Sequence, residues 1–181
     1  MTATAFISTE SLNAFLSESA TGSDKYFKVN KIESETRVRF LGSAITGWEA
    51  WTVDNKPLRW DMKPSELPEN CKVDERTGSI APAKQFLASV IYNHDAKQFQ
   101  IWEITQVTIS RSVLKYVADE DWGDPQKYDF KVDRKKNGDR VEYTLSPCPK
   151  KELPEAVTKE WAEIKDKVKL TNMFDGTDPW A

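Results

Sequence analysis

Hydrophobic positions change period four times along the chain, and each change marks an element boundary. Residues 26–29 and 36–41 alternate as half-buried strands do. Val38 and Phe40 fall on one face of residues 36–41 and Arg37 and Arg39 on the other, so both arginines are expected outward. Residues 44–53 predict a second strand region, and Gly47 inside it predicts a bulge or a sharp bend. Trp48 and Trp51 have opposite parity there, so one regular strand exposes only one of them, and the pattern leaves open which. Residues 86–92 and 97–104 predict a hairpin turned through Asn93, His94, Asp95 and Ala96, with Phe86, Ala88, Val90 and Tyr92 on one face.

From residue 105 to 117 the period becomes helical. Val107, Ser110, Val113, Leu114 and Val117 lie near one stripe, with Thr105 as N-cap. Residues 128–134 and 140–146 predict a second hairpin through Asn137-Gly138, a strong hairpin dipeptide. Tyr128, Phe130 and Val132 share a face, which leaves Lys131, Arg134, Lys135, Lys136 and Arg140 on the other face and at the tip. A helix is expected over residues 154–170, with Val157, Trp161, Ile164 and Val168 packing inward. At the other end, residues 8–16 predict a short helix capped by Ser8 or Thr9, with Leu12, Phe15 and Leu16 on one face. Residues 17–23 read as a Ser/Thr/Gly linker, and residues 54–82, with Pro57, Pro64, Pro68 and Pro82, as a long irregular connection. Residues 171–181 lack periodicity and are expected to be disordered. The chain thus divides into an extension (1–23), a domain (24–150), a helix (151–170) and a tail (171–181). Strands, a helix and a closing hairpin follow the order of the five-stranded OB barrel, a mainly β fold with flanking helices.

Charge adds a partner class to this outline. The net charge of −3 hides a bipolar distribution. Residues 25–63 carry eight basic against five acidic residues, and residues 127–151 carry eight against four. Acid gathers in Asp119, Glu120, Asp121 and Asp124 and in the last thirty residues. The first basic region also holds Trp48, Trp51 and Trp60, three of the seven tryptophans. Flat aromatic faces interleaved with fixed positive charge suit single-stranded nucleic acid, whose bases stack and whose phosphates need neutralising. Taken singly, a tryptophan more often fills a core and a lysine more often solvates a surface. The candidate DNA contacts are Arg37, Arg39, Arg59, Lys131, Arg134, Lys135, Lys136 and Arg140 for the backbone, and Trp48, Trp51, Trp60 and Tyr92 for the bases.

Catalytic and metal chemistry is poorly supplied. His94 is the one histidine, Cys71 and Cys148 have no CxxC spacing, and no phosphate-loop, nucleophile-elbow or zinc-protease motif is present. Neither a catalytic residue nor a cofactor or metal is expected, and the cysteines read as reduced thiols of a cytoplasmic protein. The acidic loop would allow a metal-dependent nuclease on Asp119, Asp121 and Asp124, but consecutive loop carboxylates more often only solvate a surface. In the tail, Phe174, Asp175, Asp178 and Trp180 combine acid with large apolar groups, the makings of a peptide that docks on a partner protein.

The strings KYFKVNK, TRVRFLG, GWEAW, KPLRW, KQFQIWEITQ, DEDWGDPQKYDFKVDR and VEYTLSP occur in this order from Lys25 to Pro147. With them, the chain resembles the OB-fold single-stranded DNA-binding proteins of tailed bacteriophages. That resemblance implies non-sequence-specific coating of single strands in phage DNA replication, recombination or repair, in the host cytoplasm. It also implies a tail that recruits replication or recombination proteins and competes with DNA for the basic groove. The tail ends in Pro-Trp-Ala, where many such proteins end in Phe. A monomer or dimer is expected, away from membranes. The rival function is a phage protein-interaction module acting on a host protein through the aromatic surface and tail.

Overall fold

The computed structural model describes residues 25–180, and the helix and linker expected over residues 8–23 lie outside them. The two strand regions expected between residues 36 and 53 form one strand, β1 (Thr36–Trp51). Four elements surround its far end: β2 (Pro57–Trp60), which folds back on it, the small pair β3 (Val73–Asp74) and β4 (Ser79–Ile80), and β5 (Lys84–Asn93). β1 pairs antiparallel with β5 from Val38 to Glu49, with a register shift between Leu41 and Ile45. Gly42, at that shift, has φ +64°, a left-handed conformation that glycine adopts without a Cβ clash. The irregularity expected at Gly47 is therefore at Gly42.

β5 turns into β6 (Gln98–Ile104), and the Asn93 side chain closes the turn by accepting from the N–H groups of Asp95 and Ala96. Helix α1 (Val107–Ala118) follows; Gln106, not Thr105, is at its cap position. β7 (Phe130–Asn137) and β8 (Arg140–Pro147) form the second hairpin, with Gly138 at φ +63°. Helix α2 (Glu155–Ile164) is shorter than expected, because the chain tightens into a 3-10 turn at Lys165–Lys167. A short helix, α3 (Asn172–Asp175), comes near the end.

The main sheet has the order β6-β5-β1-β7-β8, with β2 added to β1. Its pairings are antiparallel, and β6 and β8 are not hydrogen-bonded to each other, so the sheet stays open. Alternation along the strands gives it two apolar faces. Val38, Phe40, Ile91, Trp102, Ile104, Phe130 and Val132 bury the inner face against Ile109 and Val113 of α1. Leu41, Ala88, Val90, Tyr92 and Ile101 form the outer face, covered by Val157 and Trp161 of α2 and by Leu170, Met173, Phe174 and Trp180. The sequence pattern marks apolar residues of both faces, Val38 and Phe40 on the first and Phe86, Ala88, Val90 and Tyr92 on the second; the second is covered because the chain returns across it.

That return corrects the expectation of a disordered tail. Met173 and Pro179 are buried, and the Lys169 N–H donates to the Pro179 carbonyl at 2.8 Å. Lys25 pairs with Asp178 at 3.1 Å. Burying a side chain such as Leu170 or Met173 is worth roughly 1.5–3 kcal/mol, enough to hold a short segment. The covering segment needs a gap in β1, and Gly47 supplies it. A Cβ there would lie 2.8 Å from the Phe174 ring, 2.9 Å from the Phe86 ring and 2.5 Å from the Trp60 carbonyl oxygen. Gly47→Ala should therefore destabilise the protein by about 1–3 kcal/mol in urea unfolding. An unchanged midpoint would mean that the segment does not press on β1.

Candidate nucleic-acid interface

The start of β1 and the start of β7 lie side by side, with Arg37 directly opposite Lys131. Both side chains reach solvent, at 44% and 40% exposure. With Lys150 and Lys151 they line a cleft of about 600 Å³ that also holds Asp129, Pro147, Cys148 and Pro149. Cys148 is buried there as a free thiol, as Cys71 is elsewhere. Glu35 lies 2.8 Å from the Lys131 ammonium; its hydrogen bond and charge hold that group above its ordinary value. Four cations against one buried and one exposed carboxylate leave the cleft positive. Lys150 and Lys151 are functional candidates that sequence reasoning misses, although their doublet between the expected hairpin and helix is a usable signal.

Beyond the cleft, β7 and β8 continue as an arm whose residues from Lys135 to Glu142 are all exposed. Lys135 pairs with Asp133 of its own strand at 3.3 Å, while Lys136 and Arg140 at the tip point their charge at solvent. Arg134 is half-buried, with its Nε enclosed and unbonded, so it is less accessible than the tip residues.

Arg39 is not on this surface, which corrects its expected outward placement. It is 2% exposed, and its Nε donates to Asp129 Oδ1 at 2.7 Å. Its remaining nitrogens donate to the carbonyls of Gln126 and Lys151 at 3.0 and 2.8 Å. The physical reason is that the segments just before β7 and just after β8 lie over the face of β1 that a free strand would turn to water, and the guanidinium satisfies the carbonyls of Gln126 and Lys151. Burial would raise the Asp129 carboxyl, but the hydrogen bond from His94 and the charge of Arg39 hold it below its ordinary range.

The tryptophan-rich end of β1 divides three ways. Trp48 and Trp60 face each other across β1 and β2, both half-buried, with the Lys63 ammonium 5.3 Å from the Trp48 ring centre. Trp51 is 43% exposed, with Lys72 6.0 Å above its ring. It borders a cavity of about 520 Å³ with Lys72, Lys84 and Asn55. Its indole N–H donates to Glu49 Oε1 at 2.6 Å, which fixes the ring's orientation. Of the three, Trp51 offers the most open face.

Arg59 is also corrected, from a phosphate contact to an internal pair. Its side chain is 12% exposed and binds Glu103 through two nitrogens, at 2.9 and 2.7 Å. Its Nε lies 3.1 Å from Glu49 Oε2, but the N–H points at Glu103, so that oxygen accepts no hydrogen bond. One guanidinium thus lies against two carboxyl groups, Glu49 buried and Glu103 half-buried. Burial, then the hydrogen bond and charge of Glu103, push the Glu49 carboxyl up to about 8 against the pull of Arg59.

Tyr92 is buried at 8% exposure, packed against Phe99 and edge-on to His94, because α2 and the C-terminal segment cover that face of β5. It is corrected from a stacking surface to a packing residue. Trp161 packs as expected, stacked on Phe99 at 5.9 Å. In the tail, Phe174 and Trp180 are turned onto the sheet, Asp178 is taken by Lys25, and Asp175 stays exposed. In the acidic loop, Asp119 accepts from the N–H groups of Asp121 and Trp122, and Asp124 accepts from that of Gln126. These carboxylates organise turns, and among the described residues no group of His, Cys, Asp and Glu is arranged to hold a metal ion.

The chain matches no protein-family model, no curated protein and no solved structure. What the structure establishes is a mainly β protein with an antiparallel sheet and a few helices. Among the described residues, no helix is long and apolar enough to cross a membrane.

Two outcomes follow from the buried charges. Arg39→Ala leaves Asp129 buried without its closest cation and should destabilise the fold by about 3–5 kcal/mol in denaturant unfolding; a loss under about 1 kcal/mol would contradict the role given to the pair. Glu49 titrates higher in the folded chain than in the unfolded one, where its ordinary value is 4.5. Folding therefore retains a proton that the unfolded chain has lost, so this stability is full below that value and is lost as pH rises to about 8. Glu49→Gln, which keeps an acceptor for Trp51, should flatten the decline between about pH 5 and pH 8 in thermal melts.

Proposed function

We propose that this protein binds single-stranded DNA without sequence specificity and is not an enzyme. The observation that carries the reading is the convergence of Arg37, Lys131, Lys150 and Lys151 on one open cleft, extended by the basic tip of the β7–β8 arm. Such a cleft suits a phosphate backbone, which needs positive charge along its path and carries no sequence information. Trp51, and to a lesser degree Trp48 and Trp60, supply aromatic faces flanked by Lys72 and Lys63 at the other end of β1. Stacking on such faces is worth roughly 1–3 kcal/mol per base and tolerates any sequence.

The strand order supports the same reading. A long first strand paired with both the second and the fourth, with a helix between the third and fourth, is the order of an OB barrel opened between its last strand and its third. In those terms β5 and β6 are the second and third strands, and β7 and β8 the fourth and fifth. The phage single-stranded DNA-binding proteins that the chain resembles have this barrel, so a role in phage DNA replication, recombination or repair is the associated proposal. The tail's part changes with its position. It covers the outer apolar face of the sheet and does not line the basic cleft, so recruitment of replication proteins would require Phe174 or Trp180 to leave the sheet.

Titration with oligo(dT) should quench tryptophan fluorescence, and the affinity should fall steeply with salt. Lys131→Glu with Lys150→Glu should weaken binding by about tenfold or more. The same double variant should flatten the logarithmic salt slope by about 0.7 for each phosphate left without its cation. An affinity that ignores salt, or a double variant that binds like the parent, would refute the cleft as the backbone site.

A further inference from the structure

Helix α1 carries apolar residues on two sides. Ile109 and Val113 are buried in the core, while Val107, Leu114 and Val117 are 56%, 55% and 44% exposed. At about 100° per residue the exposed three fall within one sector of roughly 80°, a stripe and not scattered positions. Ser110 and Leu114 continue the stripe into a small cavity of about 150 Å³, whose walls include Trp48, Phe86 and Leu87. Along the side of the stripe away from the core stand the exposed cations Arg111 and Lys115, and α1 contains no acidic residue. The surface therefore asks for a short acidic segment with apolar side chains, at least one of a size to enter the cavity. Pairing with a second α1 would bring like charges together, which argues against a symmetric contact.

We propose that the docking partner of this surface is the chain's own N-terminal segment, residues 6–18. That segment has the required chemistry, with Phe6, Ile7, Leu12, Phe15 and Leu16 as apolar residues, Glu10 and Glu18 as its charges, and no lysine or arginine. It is also attached at the right place. Lys25 borders a cavity shared with Pro57, Leu58 and Arg59, and three residues beyond Leu58 the chain reaches Asp61 on the wall of the α1 cavity. The six residues from 19 to 24 can span up to about 20 Å, more than the roughly 10 Å that separates Leu58 from Asp61 along an extended chain. Covering α1 in this way does not depend on DNA binding, because neither Arg111 nor Lys115 lines the basic cleft.

The test is cysteine cross-linking in the full chain, with Leu12→Cys and Leu114→Cys introduced together; the native Cys71 and Cys148 are buried. Under mild oxidation the pair should give a species of shifted mobility that reducing agent reverses, with a yield unchanged on dilution because the attached segment is present at about millimolar effective concentration. Leu12→Cys with Lys136→Cys, on the distant arm, should not cross-link. Adding Arg111→Glu and Lys115→Glu should slow cross-linking about 2- to 5-fold, and Glu10→Lys with Glu18→Lys should restore the rate. Equal cross-linking to position 136, or none to position 114, would overturn the proposal. So would a product that is a dimer whose yield falls on dilution, since the occupant would then be a second copy.

Discussion

The buried pair of Arg39 and Asp129 is the contact on which the remaining architecture depends. Arg39 sits within the longest strand, and its guanidinium reaches the residues just before β7 and just after β8 at once. His94, at the end of β5, completes the cluster on Asp129. Four stretches of chain far apart in sequence are thereby held at one point, two of them irregular segments whose carbonyls would otherwise be buried without donors. Without the guanidinium, two carbonyls would lose their donors and the carboxylate would keep only His94 and, at 3.9 Å, Arg37, which is far costlier than the modest net gain of the pair itself. The interaction thus selects a geometry more than it adds stability.

The cleft inherits its shape from this constraint. With Arg39 drawn inward, the outward cation of β1 is Arg37, one pleat earlier, and register sets it against Lys131. The Lys151 carbonyl accepts from Arg39, which brings the Lys151 side chain, and that of Lys150, to the rim. One arginine is withdrawn from solvent, and two lysines are positioned by its withdrawal. Asp129 is held ionised beneath the rim, which moderates the positive field without cancelling it.

Local periodicity makes most of the strands and α1 legible, because those signals depend on neighbours in sequence. The hairpin through residues 93–97, the Asn137-Gly138 turn region and the packing role of Trp161 can be read for that reason. What the pattern cannot supply is the cover on the outer face. Alternation identifies two sides of a strand and says nothing about whether a distant segment crosses the polar one. That logic turns Arg39 outward, and charge and aromatic character alone make Arg59 and Tyr92 candidate contacts, yet each is enclosed by chain far away in sequence: the segments flanking β7 and β8, Glu103, and the C-terminal segment respectively. The tail escapes a local reading for a related reason. Aperiodic, acidic sequence resembles a disordered end until a docking face is known, and the glycine that makes room for Phe174 lies more than a hundred residues earlier.

The tryptophans near the end of β1 show how one composition is divided among different physical tasks. Trp48 and Trp60 pack across two strands, which rigidifies the β1–β2 corner while leaving part of each ring at the surface. Trp51 is held by one hydrogen bond to a carboxyl that is itself buried among charges, so its ring is fixed without being covered. A stacking platform needs both properties, since a mobile ring would lose entropy on binding and a covered ring would have no face to offer. The Glu49, Arg59 and Glu103 cluster therefore supports the proposed interface although its members are largely withdrawn from solvent: it sets the aromatic surface in place as Arg39 and Asp129 set the basic one. Each half of the proposed interface thus rests on an arginine removed from it.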